Sequence, residues 1–169
     1  KEEVLGKYYE NMKDALPDPK RVKKIKQELV SKGVKYIYSN WIDFLGSPKT
    51  KPMPISDFED LCAGKGPQFA VHSVSFVPEL TPADNDQIPI PDLDSLVICP
   101  WDKSCAWVFA DLYWNGKPYD VCPRLTLKKQ IQKSAKSDLK FYVGIEPEFF
   151  LMQWDGDKPV KAIDRDPIP

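Results

Sequence analysis

The chain has 169 residues, 42% hydrophobic and 29% charged, with 24 basic against 25 acidic side chains. That apolar content excludes a disordered chain, and the balanced charge lacks the basic footprint of a nucleic-acid-binding protein. No apolar run approaches membrane-spanning length and the polar start KEEVLGKYYENMKDALP is no signal peptide, so neither nucleic acid nor membrane is expected as a partner.

Residues 1–15 place Val4, Leu5, Tyr8, Tyr9 and Met12 at helical spacing, and Pro17 breaks the pattern. A second helix is predicted from Pro19 to Lys32, stopped by Gly33. VKYIYSNWIDFLG then reads as a strand, DFLGSPKTK as a turn, and KPMPI as the return strand of a hairpin. SDFEDLCAG reads as a short helix with a Ser56–Glu59 capping box and Gly64 as its stop. QFAVHSVSFV is strand-like, and PELTPADNDQIPIPDLDS reads as a long irregular loop. LVICPW and CAWVFADLYW read as strands, NGKPY as a hairpin turn, and PRLTLKKQIQKSAKS as a helix opened by Pro123. LKFYVGIEPEFFLMQWDG is predicted to be one last long strand.

Hairpins wrapped around a helix point to an α+β fold, a β-grasp (ubiquitin-like roll). The expected division is an N-terminal helical segment over residues 1–33 and a β-grasp domain over 34–137. Residues 138–169 would open a further domain with its first strand.

The chemistry centres on GIEPEFFL. Glu146 and Glu148 lie two apart, so in an extended chain they share a face, about 6.5–7 Å apart. Two like charges beside an apolar run need neutralising, and hard divalent cations do this best. The other reading has Pro147 marking an edge strand with both acids in solvent. The loop aspartates Asp84, Asp86, Asp92 and Asp94 lack the spacing and central glycine of an EF-hand calcium site. His72 in AVHSVS reads as a core or interface histidine. Cys62, Cys99, Cys105 and Cys122 form no CxxC pair and read as reduced, buried thiols of a cytoplasmic protein. There is no phosphate-binding glycine loop.

Four landmarks in order carry a family resemblance: WIDFLGSPKTKPMPI, DNDQIPIPDLDSLVICPW, FADLYWNGKPYDVCPRLTL and GIEPEFFLM. Together they resemble the N-terminal part of glutamine synthetases and related glutamate–amine ligases, over about Val34 to Met152. The resemblance implies a β-grasp domain ahead of an α/β catalytic domain, here truncated. It also implies the reaction: ATP phosphorylates the γ-carboxylate of glutamate, and ammonia or a small amine attacks the acyl phosphate. Glu146 and Glu148 fall on the family's metal-binding glutamates, one for each of two Mg²⁺ or Mn²⁺ ions. The resemblance further implies a homo-oligomer of stacked rings with active sites between subunits.

Two departures stand out. Ala70 and Val71 occupy the place of the Asp-Gly in the family's DGSS loop, with His72, Ser73 and Ser75 as the substrate-proximal residues there. The subgroup that couples glutamate to methylamine or other alkyl or aryl amines is similar in this respect, because a bulkier amine needs apolar room. The chain also stops at Pro169, before the family's remaining metal ligands and nucleotide pocket, so alone it is expected to be inactive. The alternative is a stand-alone β-grasp binding or assembly module, against which the open tail DKPVKAIDRDPIP argues.

Overall fold

A computed structural model of the chain describes residues 12–71 and 80–162. Most of the helix expected over residues 1–15 lies outside them. What is described there is a 3-10 turn at Lys13–Ala15 and the buried Met12.

Helix α1 spans Pro19–Ser31. Asp18 caps it by accepting the Lys20 and Arg21 N–H groups at 3.3 and 3.2 Å, and Pro19 supplies a preset φ at the first helical position. Gly33, at φ +84°, ends it. The Val34 N–H reaches the Leu29 carbonyl and the Gly33 N–H the Val30 carbonyl, each at 3.0 Å, the pair of bonds that satisfies the last helical carbonyls. Val34 and Leu29 then meet in the same buried cluster.

Strands β1 (Tyr36–Ile42) and β2 (Pro48–Pro54) form the expected antiparallel hairpin, although β2 starts at Pro48, within the predicted turn. Asp43, 2% exposed, organises the tip: its Oδ1 accepts the Leu45 and Ser47 N–H groups at 3.0 and 2.8 Å. A 3-10 turn at Ile55–Asp57 leads into helix α2 (Phe58–Cys62). The Ser56–Glu59 capping box does not form. The 3-10 turn moves the α-helical start to Phe58, Ser56 Oγ bonds the Asp57 carboxylate, and Glu59 instead pairs with Lys26 of α1.

The predicted irregular loop contains a strand, β3 (Ile88–Pro91). Beyond a 3-10 turn at Leu93–Ser95 comes the short β4 (Val97–Ile98), and both pair antiparallel with β5 (Cys105–Trp114). Across the interruption the Asp92 N–H reaches the Phe109 carbonyl and the Phe109 N–H donates to the Ser95 hydroxyl, so β5 keeps its bonds. Asn115 and Gly116, at φ 50° and 74°, make the tight turn into β6 (Lys117–Pro118). Helix α3 follows over Pro123–Ala135.

The main sheet runs β2-β1-β5-β3, with β1 and β5 parallel at its centre. Both outer strands carry alternate prolines: Pro48, Pro52 and Pro54 on β2, Pro89 and Pro91 on β3. Proline has no N–H to donate, so these edges resist further strand addition. The largest core cluster joins Val22 and Leu29 of α1 and Phe58 and Leu61 of α2 to Ile37, Ala106 and Val108 of the central strands. A second cluster is built on Trp41, stacked on Phe69 at 4.2 Å between ring centroids.

The last long strand is not observed. Residues 139–151 have no regular structure, and only β7 (Met152–Asp155) pairs, with β8 (Lys158–Lys161) in a separate two-stranded sheet. Strands are made by partners, and among the described residues no strand pairs with 139–151.

Candidate functional site

Glu146 and Glu148 lie on this unpaired stretch. Both are exposed, and among the described residues neither carboxylate has a hydrogen bond or an ion pair. Their apolar neighbours are as open: Ile145 is 88% exposed, Phe149 81% and Phe150 87%. Two acids with no cation to neutralise them are available as oxygen ligands. An exposed apolar run of this kind marks an interaction surface.

Helix α3 leads into the stretch and is fixed to the sheet by charge. Arg124 Nη2 reaches Asp92 Oδ2 at 2.7 Å and its Nε reaches Asp111 Oδ1 at 3.1 Å. Lys128 Nζ lies 2.8 Å from Asp92 and 2.5 Å from Asp111. The Arg124 guanidinium also sits 5.3 Å over the Phe109 ring, a cation–π contact. Burial pushes the Asp92 carboxyl up, but the Lys128 ammonium, the Asp94 N–H and Arg124 outweigh it and hold Asp92 below the usual carboxylate range. Burial likewise pushes Lys128 down, and the two aspartates reverse the shift. Sequence reasoning missed this network. In the sequence Asp92 reads as one acid of the irregular loop, and its partners lie more than thirty residues away on another element.

Two of the other loop aspartates are also engaged: Asp94 with Arg21, and Asp84 with the Thr81 N–H and hydroxyl. Among the described residues no three His, Cys, Asp or Glu side chains converge as metal ligands. His72, Ser73 and Ser75 lie outside the described residues. Val71 is described and fully buried, packed with Trp41, Phe69, Leu112, Tyr119 and Cys122. Its methyls therefore fill core space, which qualifies the expectation that Ala70 and Val71 open apolar room for an amine. All four cysteines are free and buried, and burial followed by the Glu59 charge pushes the Cys62 thiol up to about 12. Among the described residues no helix is long and apolar enough to cross a membrane.

Comparison with known proteins gives concordant matches. The family model "glutamine synthetase, catalytic domain" matches residues 120–166, which include α3 and both glutamates. A glutamine synthetase of Rhizobium meliloti is 38% identical over 127 residues, covering 75% of this chain and 28% of that protein. A glutamate–methylamine ligase of Methyloversatilis universalis is 32% identical over 129 residues, with the same coverage of 75% and 28%. A solved structure described as a GmaS/ADP complex superposes with a TM-score of 0.61 at 30% identity, over 67% of this chain and 26% of that one. The chain thus spans 28% of the length of these curated relatives.

Proposed function

Because the chain belongs to the glutamine synthetase family, we propose that it is the N-terminal portion of an ATP-dependent glutamate–amine ligase. The ligase forms γ-glutamyl phosphate from glutamate and ATP and passes the acyl group to ammonia or a small alkyl or aryl amine. The observation that carries this reading is the pair Glu146 and Glu148, unpartnered and side by side in an apolar run. The activities named for the two relatives support it.

In this reading residues 34–137 form a β-grasp domain. The central parallel β1–β5 pair with antiparallel neighbours, and α1 and α2 packed on Ile37, Ala106 and Val108, support that description. Residues 1–33 are its helical lead-in, and 138–169 begin the catalytic domain. The intact enzyme is a cytoplasmic homo-oligomer with active sites between subunits.

The donor chemistry fits Mg²⁺ or Mn²⁺: two hard carboxylates with no basic side chain competing for them among the described residues. Glu146 and Glu148 would each hold one ion, with the remaining ligands coming from elsewhere. Bound there, the ions offset the negative charge of ATP and of the acyl phosphate. Pro147 fixes its own φ and biases Glu146 to extended backbone, a conformation in which the two acids would be able to share a face once the segment is paired. The neighbouring Phe149 and Phe150, once covered, exclude water from the carboxylates and strengthen their hold on a cation.

The test is glutamate-dependent phosphate release from ATP by the polypeptide that carries this chain at the length of its relatives, with ammonium, methylamine and ethylamine compared. Release that depends on glutamate and on one of these amines is expected. No glutamate-dependent release with any of them overturns the reading.

A further inference from the structure

The four cysteines are free, and two of them face each other across a ladder. β4 and β5 run antiparallel with Val97 opposite Trp107 and Ile98 opposite Ala106. The same register sets Cys99 opposite Cys105, and the Cys99 N–H donates to the Cys105 carbonyl at 2.9 Å. Directly opposite residues project to the same side of a sheet. In a hydrogen-bonded pair their Cα atoms lie about 5.5 Å apart, in the middle of the roughly 4.4–6.8 Å that a disulfide spans. The ladder ends here, because the Cys105 N–H turns back to the Asp102 carbonyl at 3.1 Å. The two thiols therefore stand at the mouth of the loop of residues 100–104, and closing their Cβ separation to the roughly 3.5–4.5 Å of a disulfide takes a small shift at this end of the ladder.

We propose that Cys99 and Cys105 are a redox-convertible pair that closes to an intrachain disulfide by exchange with a low-molecular-weight disulfide, clasping the loop between them. The Cys105 thiolate attacks one sulfur of the small disulfide RSSR, forming a mixed disulfide and releasing RS⁻. The Cys99 thiolate then attacks Cys105 Sγ, forming the Cys99–Cys105 bond and releasing the second RS⁻. The two thiol protons end on the two leaving thiolates, so one RSSR is reduced to two RSH while two protein thiols are oxidised. Cys105 reacts first because it is the more accessible, 7% exposed against 2% for Cys99. Its thiol donates to Asp102 Oδ2 at 3.3 Å at the loop edge. Burial, then the neighbouring Cys105 and Asp102, raise the Cys99 thiol, which makes the second attack the slow step. The loop carries Trp101, 71% exposed and packed edge-on against Trp107 at 5.3 Å, so closure pins an exposed aromatic pair.

Lys103 lies between the two cysteines, which makes the outcome readable by trypsin. The native chain is incubated with oxidised glutathione, denatured, alkylated with iodoacetamide and digested without reduction by trypsin and chymotrypsin together, since trypsin spares the Lys117–Pro118 bond and cleavage after Trp114 or Tyr119 is needed to part Cys105 from Cys122. Joined Cys99 and Cys105 peptides are expected, with Cys62 and Cys122 alkylated and the intact mass lower by two hydrogens. Cys99→Ser is expected to stop at a glutathione adduct on Cys105. Separate alkylated Cys99 and Cys105 peptides overturn the proposal, provided that the same oxidant modifies the urea-denatured chain. So does a wild-type Cys105–glutathione adduct that never resolves, or linkage of either thiol to Cys62 or Cys122.

Discussion

Asp111→Asn removes one carboxylate from the network that ties α3 to β5 while keeping its shape. Asp111 is 13% exposed at its side chain and accepts from Arg124 Nε at 3.1 Å and from Lys128 Nζ at 2.5 Å. In the native protein two carboxylates face two cations, and the substitution leaves a cation in excess beside Asp92. Each hydrogen bond to a charged group contributes roughly 1.5–3 kcal/mol. The asparagine oxygen still accepts one neutral bond, and Lys128, 40% exposed, can turn to water, so its loss is discounted. The net cost comes to about 2 kcal/mol, which for a chain of this size lowers the melting midpoint by about 4–8 °C. Urea unfolding followed by tryptophan fluorescence reads it directly, as a lower midpoint at unchanged slope. Asp120→Asn is the control: Asp120 pairs with Lys129 at 2.8 Å but is 88% exposed, and the midpoint should not move. A loss below about 0.5 kcal/mol for Asp111→Asn would refute the reasoning, because it would make the network no better than an exposed ion pair.

The same network predicts a pH dependence. Asp92 is held below its ordinary value, so its contribution is present above the unfolded carboxylate value of about 3.9 and is lost as pH falls through the folded value. Lys128 is raised, so its contribution is present below the unfolded value of about 10.4 and is lost as pH climbs through the folded one. Urea midpoints across pH should show a plateau with both shoulders, and Asp111→Asn should weaken the alkaline one. Gly66→Ala would place a Cβ 2.8 Å from Leu61 Cδ1 and 2.9 Å from Leu61 Cα. Since a backbone atom cannot swing aside, a destabilisation of about 1–3 kcal/mol is expected by thermal melting, and an unchanged midpoint would show that the Gly66 segment moves freely. Glu146→Ala and Glu148→Ala, at exposed and unpartnered positions, should leave the melting of this chain within about 0.5 kcal/mol. In the full-length ligase proposed here each should abolish glutamate-dependent phosphate release, and full activity of either at saturating Mg²⁺ would overturn the proposed metal role.

The elements with local signals were legible in sequence. The Pro19 start and Gly33 stop of α1, the Asn115-Gly116 turn and the alternating CAWVFADLYW strand each carry their cause within a few residues. β3 was not legible because IPIP reads as a strand breaker. It is a strand because it sits at a sheet edge, where Pro89 and Pro91 alternate with Ile88 and Ile90 and the missing N–H groups cost no ladder bond. The Asp92–Arg124–Asp111–Lys128 network was hidden because it joins three elements distant in the chain. The acid pair is legible from its spacing, but the long strand predicted to carry it does not form among the described residues, because a strand signal gives propensity and not a partner.

Helix α3 is where these two behaviours meet. Arg124, Lys128 and Leu125 hold it to the sheet and to the Trp41 cluster. Leu127 and Ile131, 61% and 50% exposed, instead line an open groove of about 660 Å³ with Leu139, Phe141, Tyr142 and Val143. A helix that carries apolar side chains away from its own sheet is suited to two interfaces, and among the described residues the sheet fills one of them. The sheet half has buried aromatics, a capped helix and proline-lined edges. The stretch from Leu139 to Leu151 has large apolar residues and no core of its own. Glu146 and Glu148 sit on that half, so Pro147 restricts the backbone between them, while their burial, and with it the strength they would have as the proposed metal ligands, depends on what covers Phe149 and Phe150.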